Sequence, residues 1–158
     1  MQRPGWNAIL LGLLFAFCTT GCDSNDPGDT VQVSIQDIIV GEGALAEGNN
    51  IVTIEYTGRL ITGDVFDTTR KEDREPLSFQ LETGLVVDDP QAREVIDGLI
   101  LGVPGMHVGG LRRLTVPPEL GWGSRGAGCD PENPNACIIP PNSTLIFDIE
   151  LIGVLEVE

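Results

Sequence analysis

Aromatic, basic and imidazole side chains are all scarce in this 158-residue chain, and each shortage closes off a class of function. Aromatics make up only 5% of the residues, so the few present are expected where large flat surfaces are needed. Lysine and arginine number 9 against 24 aspartates and glutamates, a formal charge of −15. Nucleic-acid affinity comes mainly from neutralising phosphates with Lys and Arg, so this balance argues against it. Anionic lipid headgroups would repel the same charge, so electrostatics alone would not hold the folded part on a membrane. The single histidine, His107, lies in the glycine-rich turn G-M-H-V-G-G and is expected to face solvent. No nucleophile–base set accompanies it, the acidic residues scatter as solvated faces do, and no metal or cofactor is expected.

A long apolar run is also lacking. Residues 8–18 form an uncharged apolar stretch of eleven after Arg3, short of the roughly 20 residues that a spanning helix needs. The stretch fits the apolar core of a secretory signal, followed by Thr19-Thr20-Gly21-Cys22. An ordinary signal cut near Gly21, or an uncleaved anchor, is one reading. The sharper one is a bacterial lipoprotein signal at residues 1–21, with Cys22 lipidated as the first mature residue. The small residues before Cys22 fit that pattern, while Thr19 stands where leucine is usual. Two or more acyl chains suffice for stable anchoring. Residues 22–30, short and acidic with a Pro-Gly breaker, then read as a lipidated tether, and residues 31–158 as one domain. The protein is thus expected to be exported and membrane-anchored, on the periplasmic or outer surface of a bacterial cell.

Apolar content of 41% is sufficient for a core. From Val31 onward the dominant pattern has period two, the signature of half-buried strands. Val31, Val33 and Ile35 define one strand, and residues 41–50 a turn region. Val52, Ile54 and Tyr56 define a second strand ending near Thr62-Gly63-Asp64. Leu77, Phe79 and Leu81 mark another, and residues 111–116 and 145–152 supply the last two. Residues 97–103, D-G-L-I-L-G-V, form the one helix candidate, with Asp97 suited to capping and Pro104 to stopping it. Its two glycines make it a poor helix former, so packing must hold it. Asp89-Pro90 is a possible opening of a separate helical turn. Strands with one short helix imply an α+β domain, an antiparallel sheet covering the helix on one face.

Residues 111–122 read L-R-R-L-T-V-P-P-E-L-G-W, and residues 138–151 read I-I-P-P-N-S-T-L-I-F-D-I-E-L. With Tyr56-Thr57-Gly58, Val65-Phe66-Asp67 and E-V-I-D-G at residues 94–98, they closely resemble the FKBP-type peptidyl-prolyl cis–trans isomerases. The resemblance covers roughly residues 31–158. It implies a strongly bent antiparallel sheet wrapped around a short helix, a monomer, proline-containing polypeptides as substrates, and macrolides as a second ligand class. It also implies a cleft. Tyr56 would be a wall whose hydroxyl pairs with Asp67, Phe66 and Phe147 apolar walls, and Phe79 an aromatic at the base. Val95 and Ile96 would form another side, with the Ile96 N–H donating to a substrate carbonyl, and Ile138 and Ile139 would lie over the entrance. Each of these alone would be an ordinary core residue; together and in order they favour a pocket. Leu99 stands where the family commonly has a floor tryptophan, Trp122 where it often has a tyrosine, and Leu77 where an aromatic is frequent. A smaller floor is expected to weaken proline packing by ~1–2 kcal/mol. Residues 85–93 and the loop before Ile138 look inserted.

Four cysteines are present. Two fall at positions 18 and 22. The other two, Cys129 and Cys137, close the short loop G-C-D-P-E-N-P-N-A-C, and in an oxidising compartment such a pair is expected to be a disulfide. Metal binding is the rival reading, but two thiols with no nearby histidine make a poor zinc set. The functions that compete are an exported prolyl isomerase that assists folding, an FKBP-like peptide-binding or chaperone module with weak turnover, and a passive lipoprotein spacer. A spacer needs no converging aromatic cup.

Overall fold

In the computed structural model, which describes residues 30–157, eight strands and one α-helix follow one another. They are β1 (Ser34–Ile39), β2 (Ile51–Leu60), β3 (Val65–Thr68), β4 (Leu77–Gln80), α1 (Asp97–Gly102), β5 (Leu111–Val116), β6 (Ala127–Asp130), β7 (Asn133–Ile139) and β8 (Leu145–Leu155). Two short 3-10 turns, Pro118–Leu120 and Gly123–Arg125, separate β5 from β6. Six strands form one sheet in the order β1-β5-β8-β2-β3, and β4 joins it beside β3 on the same edge of β2. Every pairing is antiparallel. β8 is central, in register with β2 from Leu155 to Leu145 and with β5 from Glu150 to Leu145.

Period two is why β2, β5 and β8 form where expected. Val52, Ile54, Leu114, Val116, Leu145, Phe147, Ile149 and Leu151 are all buried on one face of the sheet, and that face holds the core. α1 packs across it. The helix is glycine-containing because the sheet comes too close for side chains. A Cβ at Gly98 would stand 2.4 Å from Val116 Cγ1, and one at Gly102 would stand 2.3 Å from Leu114 Cδ1. Spaced four apart, these glycines share one helical face, and their propensity cost permits the close approach.

The helix differs from expectation at its start. Ile96, not Asp97, is the N-cap, and no side chain bonds to the first turn; Asp97 lies inside it, where its charge favours the helix N-terminus. At the other end the buried Arg112 does the work of a cap. Its guanidinium donates to the Gly102 and Pro104 carbonyls at 2.8 and 2.9 Å and to both Asp37 carboxylate oxygens at 2.6 and 3.2 Å. One side chain thereby joins β5, the end of α1 and β1.

Three further expectations are corrected. β1 starts at Ser34, not Val31, and all six of its residues are exposed because it is an edge strand. Asp89-Pro90 opens a hydrogen-bonded turn, Ala92 N–H to Asp89 C=O at 3.0 Å, and no helix. The cysteine loop is a two-stranded hairpin, β6–β7, in which Cys129 and Cys137 face each other and are bonded, S–S 2.05 Å. Its sequence lacks an apolar alternation, so nothing marks it as strand before the bond is considered.

Candidate active site

An open cleft of about 490 Å³ lies where α1, β2, β3 and the middle of β8 converge. Tyr56 comes from β2, Phe66 and Asp67 from β3, Phe147 from β8, Leu99 from α1, and Trp122 from between the two 3-10 turns. Val95 and Ile96 line it on the approach to the helix.

Gly58 makes the aromatic cluster possible. It lies two residues after Tyr56, on the same face, and opposite both Phe147 and Asp67. A Cβ there would stand 2.6 Å from Phe66 Cζ and 3.1 Å from Phe147 Cε1. Without it, the Phe66 ring settles edge-on to both Phe147, at 5.6 Å and 81°, and Trp122, at 5.8 Å and 83°. Tyr56 is tilted against Phe147 at 5.9 Å and 52°. Such edge-to-face contacts place the positive ring edge on the negative face of the neighbour, which fixes the walls as a rigid unit. Thr57, between Tyr56 and Gly58, points to the opposite face and shares a 3.0 Å hydroxyl bond with Thr68.

The cleft's hydrogen-bonded polar side chains are one pair. The Tyr56 hydroxyl donates to Asp67 Oδ2 at 2.6 Å, while Oδ1 accepts from the Thr68 N–H at 2.9 Å and faces Arg74 at 3.5 Å. Burial pushes the Tyr56 pKa well above the ordinary phenol range, and the hydrogen bond to Asp67 and its charge push the same way, against the opposing Arg74. The phenol therefore stays protonated, and its hydrogen stays directed at the Asp67 carboxylate. Donors for a substrate carbonyl must come from elsewhere. The Ile96 N–H has no partner among the described residues, nor has the Trp122 indole N–H.

The expected site residues separate into three groups. Tyr56, Phe66, Asp67, Val95, Ile96, Leu99, Trp122 and Phe147 all line the cleft. Phe79 does not: it is fully buried beneath, paired with Val52, and Leu77 occupies the wall position two residues earlier. Ile138 and Ile139 are not among the residues that line the cleft itself. They line an adjoining groove of about 540 Å³ that shares Phe66, Asp67 and Trp122 with the cleft, Ile138 exposed and Ile139 turned to the core. Glu94 and Gly58 were missed by sequence reasoning, and Leu77 was read only as a departure from a frequent aromatic and not as a wall. Leu77 shares the period of Phe79, which gives a face but not a depth. Gly58 is conspicuous as a glycine amid a strand, a mark of close approach. Cys22 lies outside the described residues.

Residues 42–152 match the family described as FKBP-type peptidyl-prolyl cis-trans isomerase. The chloroplastic peptidyl-prolyl cis-trans isomerase FKBP13 of Arabidopsis thaliana is 39% identical over 142 residues, 85% of this chain and 61% of that protein. An FK506-binding protein of Neisseria meningitidis is 39% identical over 122 residues, 77% of this chain and 95% of that protein. The crystal structure of AtFKBP13 superimposes with a TM-score of 0.61 at 37% identity, covering 78% of this chain and 93% of that one. That structure shares the curved antiparallel sheet and single short helix, and with the family match spanning most of the sheet and the whole cleft, the chain belongs to the FKBP-type peptidyl-prolyl cis-trans isomerases.

Proposed function

We propose that this protein is an active prolyl isomerase that takes X-Pro segments of exported polypeptides into the cleft walled by Tyr56, Phe66, Phe147 and Trp122. The peptide C–N bond resists rotation by about 18–20 kcal/mol because the nitrogen lone pair is delocalised, and uncatalysed X-Pro exchange takes tens of seconds or longer. The twisted amide is less charge-separated than either planar form, so an apolar cup that receives the proline ring favours it. The open Ile96 N–H is the donor that holds a neighbouring carbonyl while the bond turns. Tyr56 and Asp67 act as a fixed wall and not as an acid–base pair, since the phenol keeps its proton.

The observation that carries this reading is the convergence of four aromatic rings and the 2.6 Å Tyr56–Asp67 bond on one cleft floored by Leu99. The floor is also what favours a second reading, binding without useful turnover, because Leu99 offers less flat surface than an indole. Exchange spectroscopy on an Ala-Pro peptide decides between them. The parent should exceed the uncatalysed rate modestly and Leu99→Trp should exceed the parent. A well-folded protein that leaves the exchange rate unmoved in both forms would assign the cleft to binding alone.

The same proposal places the protein outside the cytoplasm, anchored through Cys22, with residues 23–30 as tether; the first 29 residues lie outside the described ones. Intact-mass measurement on protein from its native host should find a mature chain beginning at Cys22 with acyl mass added. A chain starting elsewhere, or without that mass, removes the anchor.

A further inference from the structure

Two carboxylates line the cleft, and they are not equivalent. Asp67 is satisfied by the Tyr56 hydroxyl, the Thr68 N–H and Arg74. Glu94, just before Val95 and Ile96, is exposed, and its carboxylate has no ion-pair partner among the described residues. The cation next to it in sequence, Arg93, is paired with Asp89. Glu94 does not line the adjoining groove, whose own polar residues are the already paired Asp67 and Arg74. One end of the cleft thus carries an uncompensated negative charge, and the other opens onto an apolar groove with Ile138 at its rim.

Resting on the reading of the cleft as an X-Pro site, we propose that Glu94 makes this protein selective for segments with a cationic residue, Lys or Arg, close to the proline. An incoming ammonium or guanidinium completes an ion pair that the free protein leaves open. An incoming carboxylate meets a like charge with no basic residue of the cleft free to offset it. The pair would be solvent-exposed, so its effect is a few-fold in affinity and not a switch. The overall charge of −15 acts in the same direction at longer range and has to be separated from it.

The full-length chain is titrated with peptides Ala-Xaa-Pro-Ala and Ala-Ala-Pro-Xaa, with Xaa as Lys, Ala or Glu, following the change in tryptophan fluorescence relative to a Trp6→Phe chain in which Trp122 of the cleft wall is the one indole left. At low salt, in one series at least, Lys should bind about two- to fivefold tighter than Ala, and Glu weaker by a similar factor. The spread should collapse at about 0.5 M salt, where screening acts within a few ångströms. Glu94→Gln should flatten the series, whereas Glu42→Gln, the same charge change at an exposed residue outside the cleft, should not. Equal flattening by both variants assigns the effect to overall charge and overturns the proposal. Identical affinities for the three peptides overturn it too, and the isomerase reading then stands if the Ala peptides still exchange faster. If no peptide binds and none is isomerised, both readings fall.

Discussion

At the scale of single residues, the cleft asks Asp67 and Phe147 for different things. Asp67 accepts the Tyr56 hydrogen bond, so Asp67→Val leaves a partly buried hydroxyl without its acceptor and frees the ring to shift. Phe147 contacts both Tyr56 and Phe66, so Phe147→Ala removes the ring that holds the other two. The expectation for Phe147→Ala is a loss of stability of about 3–5 kcal/mol together with a fall in turnover. Asp67→Val should lower turnover with a smaller stability cost, and equal activity of Asp67→Val and parent would detach the pair from catalysis. Because the folded phenol has a raised pKa, Tyr56 adds stability that is fully present below the unfolded-state value of about 10. That contribution is lost as pH rises beyond it, so Tyr56 contributes no step to activity in the neutral range.

At the scale of elements, α1 shows how far sequence reasoning reaches. The residues D-G-L-I-L-G-V and the following proline mark a helix, and its two glycines signal that packing must hold it. Which surface it meets is a long-range fact that periodicity does not carry. Gly102 lies against Leu114, twelve residues away in sequence and fully buried. Gly102→Ala should therefore lower stability by about 1–3 kcal/mol through overpacking, although the same change in a free helix would add up to about 1 kcal/mol. Denaturant midpoints distinguish the two, and a higher midpoint would mean that the helix does not sit so close. Arg112 was illegible for a similar reason. In L-R-R-L-T-V it alternates like any half-exposed strand residue, yet it faces inward because helix carbonyls and Asp37 are there to receive it. The β6–β7 hairpin was read only through its cysteines, since glycine, proline and asparagine interrupt its strands.

At the scale of the whole molecule, the sheet and most of the cleft were legible because alternation and the Tyr56, Phe66–Asp67 and Phe147 stretches are local patterns. What escaped was depth and lateral placement. Phe79 sinks into the core while Leu77 reaches the cleft, and Ile138 and Ile139 line an adjoining groove that shares Trp122 with it. The charge of −15 was equally plain. Its meaning for the site emerged only when Arg74 and Arg93 were found occupied, leaving Glu94 open.

The position of β8 in the sheet has a consequence for how the protein is made. This strand is the last in sequence and the central one in space, bridging β5 and β2. Until it is present, β1 with β5 on one side and β2 with β3 and β4 on the other are two fragments with no shared ladder, and the apolar face of the sheet is incomplete. Vectorial synthesis therefore delivers a chain whose main sheet cannot close until β8 has emerged. Most of its ladder contacts are long in sequence, so closure is slow relative to helical domains. A chain truncated after Thr144 should show no cooperative unfolding transition. A sharp one would mean that the earlier strands had found another way to pair.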